Sequence, residues 1–205
     1  MLNIMKYKFT KGHNMKKIIL IVSAFIITLL MTACGGSSFA LSPAQQKIVG
    51  SDTIVYTQVG MWVEKNRVYG TNYNRGLHMP VNTEVKIVSV NAKTIVFEYL
   101  DSNINYYVYT KHTKIDAAKT LERLFSSNKV DLSKYDKKAQ SQIIAGTVEN
   151  GMTKDAVLLS RGYPPLSSTL SIKADYWKYY KSKFFGTMGV QFTDGKVSSI
   201  KGGGF

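Results

Sequence analysis

A chain of 205 residues with 27 basic and 13 acidic side chains carries a formal net charge of +14 at neutral pH. Hydrophobic residues make up 44% of the sequence and charged residues 20%, which supports a folded core and argues against a wholly disordered chain. A single cysteine excludes an internal disulfide and a cysteine-rich zinc site. The histidines, His13, His78 and His112, stand far apart, which argues against a metal site at helical spacing.

The first predicted element is a short apolar segment near the amino terminus. A lysine pair at 16–17 precedes the apolar run 18–31. As a helix, its fourteen residues would reach about 21 Å, less than the ~30 Å hydrocarbon core of a bilayer. A positive start, a short apolar middle and small residues at 32–33 are typical of a signal peptide, which we assign to residues 1–33.

The residue after this segment is Cys34, the single cysteine. The sequence LMTAC at 30–34 resembles a bacterial lipobox. The resemblance implies cleavage before Cys34 and a thiol that carries diacylglycerol, with palmitate among the acyl chains; the alternative is an uncleaved anchor with a buried cysteine. In lipoproteins of Gram-negative bacteria, Asp at the position of Gly35 would signal retention in the inner membrane. Because Gly stands there instead, the predicted location in such a bacterium is the outer membrane, facing the periplasm. The inner membrane is the alternative.

The mature chain is expected to stay basic. The sequence Met15-Lys16-Lys17 is typical of a natural start, so residues 1–14 are predicted to come from an upstream start codon. Removal of residues 1–33 takes away five lysines and no acidic residue, which leaves a net charge of +9 over 172 residues. Residues 35–50 are small and polar without periodicity, so 34–50 is predicted to be a lipidated flexible tether.

Residues 51–115 are predicted to form a β-rich module. Five short runs rich in β-branched and aromatic residues recur at near-regular spacing, as in a small barrel or a curled meander. These runs are 53–59, 61–63, 85–90, 94–100 and 104–110. The module is similar to bacterial SH3-like barrels.

A loop rich in Gly and Asn, residues 69–76, interrupts this module. Trp62, Tyr73 and Arg75 lie in or near it and are candidate partner-binding residues. Such a loop on a small barrel could grip a peptide or a glycan. The alternative is a well-hydrogen-bonded turn.

Residues 116–149 are predicted to be a helical connector. Asp116 is placed to cap a helix whose apolar residues recur at i, i+4, i+7 and i+8. Ser133, followed three residues later by Asp136, predicts a capping box for a second helix.

Residues 150–201 predict a helix followed by three strands. Thr153 is placed to cap a helix over 154–161, and Gly162 is placed to end it ahead of two prolines. The segment 175–180 predicts a strand, and Asp194-Gly195 predicts the turn of a final hairpin. The fold class is therefore α+β: a β-barrel or meander module, a helical connector, then a helix with a three-stranded antiparallel sheet.

This last segment is similar to the SmpA/OmlA, or BamE-like, lipoprotein domain. The residues that carry the resemblance are Gly151-Met152-Thr153-Lys154, Val157, Gly162, Pro164, Trp177, Tyr179, and the series Val190, Phe192, Asp194-Gly195-Lys196-Val197. The resemblance implies a non-catalytic docking or assembly module that serves outer-membrane protein assembly or envelope maintenance. It covers about 50 residues.

A basic aromatic stretch lies within this domain. Residues 150–201 hold eight basic and three acidic side chains. The candidate partner-binding residues are Trp177, Lys178, Tyr179 and Lys181. Strand alternation puts Lys178 on one face and Trp177 with Tyr179 on the other. This pattern predicts either core aromatics beneath a solvated lysine face, or one exposed ring that serves as a docking anchor.

The expected partners follow from location and charge. A membrane-held basic protein favours an envelope protein with an acidic face, anionic lipid, lipopolysaccharide phosphate or a cell-wall polymer, and argues against nucleic acid. No Gly-x-Ser-x-Gly elbow, acid pair or phosphate loop is found in the sequence, so neither an enzyme nor a cofactor is predicted. The alternative function is peptidoglycan or anionic-surface binding through the SH3-like module.

Overall fold

A computed structural model of the protein describes residues 39–50, 52–111, 113–181 and 186–202. The predicted α+β class is confirmed: a curled six-stranded sheet, short helices, and a three-stranded antiparallel sheet follow one another along the chain. The predicted signal peptide and Cys34 lie outside the described residues.

The segment expected to be a tether carries structure over its described part. Pro43–Gln46 forms one helical turn, α1, capped by the Ser42 side chain. Phe39, Leu41 and Ile48 are partly buried against the first core. The expectation of a flexible tether up to residue 50 is therefore wrong from Phe39 onward, because these spaced apolar side chains gain more from burial than from remaining in water.

Eight strands and one two-turn helix build the first half of the described chain. They are β1 (Ile54–Thr57), β2 (Met61–Val63), β3 (Arg67–Tyr69), β4 (Leu77–Met79), β5 (Glu84–Asn91), β6 (Thr94–Tyr99), β7 (Ile104–Tyr109), α2 (Ala117–Leu124) and β8 (Phe125–Ser126). Six strands form one sheet in the spatial order β3-β7-β6-β5-β1-β8, whereas β2 and β4 pair as a separate ribbon.

Alternation of side chains along β5, β6 and β7 fills the first core. Ile87, Phe97 and Val108 point inward and are fully buried, while their neighbours in sequence face outward. Helix α2 closes this core with Ala117 and Leu121. The predicted cap is confirmed, since the Asp116 carboxylate accepts a hydrogen bond from the Lys119 N–H at 2.7 Å.

The second half holds α3 (Lys137–Ala145), α4 (Lys154–Arg161), β9 (Tyr176–Tyr180), β10 (Thr187–Thr193) and β11 (Lys196–Lys201). Asp136 caps α3 by accepting from the Ala139 N–H at 2.7 Å, so the prediction that Ser133 caps this helix is wrong. Ser133 instead donates its N–H to the Asp131 carboxylate, which forms a turn ahead of the helix.

Helix α4 begins and ends where the sequence predicts. The Thr153 hydroxyl accepts from the Ala156 N–H at 3.2 Å, and Gly162 follows the helix with a positive φ of 75°. Its ψ of −174° is extended rather than left-handed helical, so the chain leaves straight into the proline pair. The sheet order is β11-β10-β9, and Asp194 with Gly195, both at positive φ, make the predicted hairpin turn.

Candidate docking surface

A stack of three side chains joins the β2–β4 ribbon to the end of α4; we call this stack the seam. Trp62 and His78 are partners across the ribbon, and their ring centroids lie 4.4 Å apart. The Arg161 guanidinium, buried at the last position of α4, lies 4.7 Å from the centre of the Trp62 ring. Trp62, predicted as a partner-binding residue, is thus half-buried in an internal cation–π contact.

Backbone atoms close tightly around the seam. A Cβ at Gly146 would lie 2.7 Å from two atoms of the His78 ring, and one at Gly60 would lie 2.9 Å from its Nε2. The Gly60 N–H donates to the Leu159 carbonyl at 2.7 Å. Glycine is therefore required at Gly146 for the imidazole to fit, and at Gly60 for the close approach of both the Ser160 carbonyl oxygen and the imidazole.

The electrostatics of the seam keep His78 neutral. Burial lowers the pKa of His78, the nearby Arg161 charge lowers it further, and a hydrogen bond with the backbone of Ser160 opposes the shift. Burial also lowers the pKa of Arg161, to about 10. In the described part of the chain, His78 Nε2 has no hydrogen-bond partner. The seam is thus a neutral imidazole stacked beside a buried cation, a packing device rather than a proton-transfer pair.

The loop at 69–76 is fixed to the second half of the molecule. The Asn72 side chain donates to the Arg161 carbonyl at 2.6 Å and to the Tyr163 carbonyl at 3.0 Å. The Asn74 N–H donates to the Tyr180 carbonyl at 3.1 Å. These contacts favour the interpretation of this loop as a hydrogen-bonded connection. Arg75, a predicted partner-binding residue, is exposed at its end and forms an ion pair with Glu64 at 3.0 Å.

Five tyrosines, on β7, β3, the loop at 69–76 and β9, follow one another across the surface; we call them the tyrosine ladder. They are Tyr107, Tyr109, Tyr69, Tyr73 and Tyr180. Tyr107 and Tyr109 are stacked at 6.5 Å between ring centroids, and Tyr109 pairs with Tyr69 across β7 and β3.

The ladder continues onto the second sheet through the predicted residue Tyr73. Its ring lies 5.5 Å from that of Tyr69 and 6.4 Å from that of Tyr180. The Arg67 guanidinium lies 5.8 Å from the centre of the Tyr109 ring. Tyr69 and Tyr107 are 36% and 37% exposed, so the ladder offers aromatic rings and a cation to a partner.

The remaining predicted residues divide between core and surface. Trp177 and Tyr179 are buried in the second core, where the Trp177 indole donates to the Ala174 carbonyl and the Tyr179 hydroxyl to the Gly162 carbonyl. Neither ring can contact a partner on the folded surface, because α3 and α4 cover this side of the sheet. Lys178 and Lys181 are half-buried on or just after β9.

Sequence reasoning missed Arg161, Tyr107, Tyr109 and Tyr180 as members of the seam and of the ladder. Alternation along β7 was a signal for Tyr107 and Tyr109, because a strand with a buried Val108 must turn its neighbours outward. The position of Arg161 at the end of an amphipathic helix gives no comparable signal.

The described residues form a cavity in the size range of small-molecule sites but offer no cluster of metal-ligating side chains. No group of three or more His, Cys, Asp or Glu side chains within these ranges could hold a metal ion. A cavity of about 50 Å³ lies between Val59–Met61 and the proline pair, well below the roughly 300–1,000 Å³ of common small-molecule sites. A more open cavity of about 360 Å³ is lined by Lys134, Lys138, Lys196 and Asp136, among others.

Comparisons of the chain with protein-family models, curated proteins and solved structures found no match. Among the described helices, none has the length and apolar character needed to cross a bilayer.

Proposed function

We propose that the chain is a lipid-anchored protein of the cell envelope whose folded part is a non-catalytic docking module for another envelope protein. The single observation that carries the docking role is the tyrosine ladder, which spans both sheets and leaves Tyr69 and Tyr107 accessible. The proposed role is outer-membrane protein assembly or envelope maintenance, as the BamE-like resemblance implies. The proposed location is the outer membrane, facing the periplasm.

The lipid anchor is supported by the sequence LMTAC at 30–34, in which the single cysteine stands where acylation requires it. Several acyl chains on one residue hold a protein stably at a membrane, whereas one chain would not. Radiolabelled palmitate is expected to enter the protein, and Cys34→Ser is expected to abolish both labelling and signal-peptide cleavage. Unchanged processing and membrane retention in this variant would overturn the anchor.

The docking role is supported by the chemistry of the ladder. Tyrosine and arginine are enriched among the residues that dominate binding energy at protein interfaces, because their side chains bury a large area and keep a polar end. Arg67 lies over the ladder, and the predicted mature chain has a net charge of +9. The proposed partner therefore presents an acidic, partly apolar face.

The ladder can be tested by cross-linking in intact membranes followed by affinity purification. The double variant Tyr69→Ser, Tyr107→Ser removes the two most accessible rings, and Leu77→Ser is the matched control because Leu77 is exposed on β4 outside the ladder. We expect the ladder variant to lose an envelope protein that the original chain and the control both capture. Equal capture by all three chains, or capture of no envelope protein, would contradict the proposal.

A second candidate function is binding of an anionic cell-wall polymer. The observation in its favour is the cavity of about 360 Å³ lined by Lys134, Lys138 and Lys196. Sedimentation with purified sacculi at low and high salt separates the two functions, since exposed lysines bind anions in a salt-sensitive manner. Absence of salt-sensitive binding removes this candidate.

A further inference from the structure

We propose that the loop 166–173, which we call the apolar loop, inserts its tip into the surface of the bilayer that holds the lipidated Cys34. This inference depends on the acylation proposed above, and it adds a second, non-covalent membrane contact. The proposed binding partner of the apolar loop is a lipid bilayer rather than a protein.

The tip of the apolar loop exposes aliphatic side chains. Leu170 is 83% exposed and Ile172 is 46% exposed, although both follow a buried proline pair. The two lie two positions apart in the loop, and both line the same cavity of about 220 Å³ beside Tyr163. Aliphatic side chains displayed together on a loop lose contact with water when they enter the headgroup region.

Hydrogen bonds hold the base of the loop in place. The Ser168 hydroxyl donates to the Lys178 carbonyl at 2.9 Å, and the Lys178 N–H donates to the Thr169 hydroxyl at 3.0 Å. Thr169 is buried. The loop is thus fixed to β9 at its base while Leu170 projects from it, so insertion requires little ordering of the backbone.

The charges around the loop suit an anionic membrane surface. Lys173 is exposed at the end of the loop, and Lys178 lies at its base. Asp175, the nearby acid along the chain, is engaged by the Lys154 ammonium at 2.7 Å. Basic side chains beside an apolar tip are the combination that binds anionic lipid headgroups.

Helix α1 and the cavity beside the apolar loop both adjoin helix α2. The Gln45 side chain donates to the Ala118 carbonyl at 3.0 Å and to the Glu122 carboxylate at 2.9 Å. Arg123, the next residue of α2, lines the cavity that Leu170 and Ile172 also line. This helix has eight residues and is about 12 Å long.

Covalent geometry limits how far the lipidated Cys34 can be from Phe39, the first described residue. Cys34 is five residues before Phe39, and five residues span at most about 18 Å. An anchor this short gives the apolar loop a high effective concentration at the bilayer, so that even a weak intrinsic affinity produces contact.

The test uses the acylated full protein carrying Leu170→Cys, purified from membranes. Because acylation blocks the sulfur of Cys34, the new cysteine is the single free thiol, and a polarity-sensitive dye can be attached there. The protein is placed in vesicles of phosphatidylglycerol and phosphatidylethanolamine. The control is Ile144→Cys, since Ile144 is 51% exposed on α3.

We expect the dye at position 170 to shift its emission to shorter wavelength and to be quenched by spin-labelled lipids, while the dye at position 144 keeps the emission it has in water. The shift should be smaller in neutral phosphatidylcholine vesicles. Emission as in water at position 170, or a shift that appears only when envelope protein is added, overturns the inference. Two free thiols instead of one would show that Cys34 is not acylated, which is the failure of the proposed function.

Discussion

Strands β7 and β9 are both rich in aromatic residues, and each buries some of its rings and turns others outward. β7 reads INYYVY and β9 reads YWKYY. In β7, Tyr107 is exposed and belongs to the ladder, whereas in β9 the large rings of Trp177 and Tyr179 are buried. The difference lies in the face that each side chain occupies: Trp177 and Tyr179 pack in a core shared with α3 and α4, whereas Tyr107 lies on the outer face of β7 and is 37% exposed. Aromatic density alone therefore does not identify a docking surface.

The comparison predicts that truncating an aromatic side chain lowers the free energy of unfolding by very different amounts on the two strands. Trp177→Ala removes a buried indole that also contacts Phe192 edge-on at 4.8 Å, and we expect the free energy of unfolding to fall by about 3–5 kcal/mol. Tyr107→Ala removes an exposed ring and should cost about 0.5 kcal/mol or less. Urea unfolding of both variants measures this. Similar losses in the free energy of unfolding would contradict the assignment of Trp177 to the core and of Tyr107 to the surface.

The helices that cover β9 are positioned by the seam, which Gly146→Ala should disturb. Gly146 has a φ of +70°, and a Cβ there would lie 2.7 Å from the His78 ring. We expect a loss of about 2–4 kcal/mol in the free energy of unfolding, from left-handed strain plus overpacking.

The matched control for this change is Gly195→Ala. Gly195 has a φ of +74° with nothing within 4 Å of the added Cβ, so it carries the backbone strain alone, about 1 kcal/mol. Thermal or urea unfolding of both variants isolates the collision with His78. Equal losses would show that the seam tolerates an extra methyl group.

A third prediction concerns the hydroxyl groups of the two strands. Tyr179→Phe removes the hydrogen bond to the Gly162 carbonyl, 3.0 Å long and buried, and should lower the free energy of unfolding by about 1–2 kcal/mol because the carbonyl loses its partner. Tyr107→Phe on the exposed face should be nearly neutral. A cost for Tyr107→Phe as large as that for Tyr179→Phe in urea unfolding would contradict the assignment of the two faces.

The parts of the fold that depend on residues close together in the sequence could be predicted from the sequence. The Asp116 and Thr153 caps and the Asp194-Gly195 turn are such features, since each is decided within about four residues. The ladder could not be predicted, because it depends on pairings between distant segments: Tyr69 with Tyr109 and Tyr73 with Tyr180. A three-residue strand such as β3, parallel to β7, has too few residues to show a period of its own.

Helix α2 gives a second example of the same limit. The sequence predicts 116–149 as a connector between two β modules, yet Ala117 and Leu121 are buried in the first core and Phe125 pairs with β1. Periodicity identifies the apolar face of a helix but not the sheet against which that face packs.

The smallest expected effect is a dependence of stability on pH through His78. Its pKa in the folded protein lies below the ordinary 6.5 because of burial and the Arg161 charge. As pH falls below about 6.5, the unfolded chain binds a proton at this imidazole that the folded chain does not, so the free energy of unfolding decreases. The decrease ends once pH passes the folded pKa, and its slope is at most about 1.4 kcal/mol per pH unit.

The contribution of His78 can be separated from that of His13 and His112 by comparing the original chain with His78→Gln. Glutamine has no charge to gain, so the variant should lose part of the slope between pH 7.5 and 5 in urea unfolding. Identical slopes would mean that the imidazole is protonated equally well in both states, and hence that it is not enclosed between the ribbon and α4. In that case the helices over β9 would be positioned by the Asn72 hydrogen bonds rather than by the stacked rings, and the contrast between β7 and β9 would depend on the loop at 69–76.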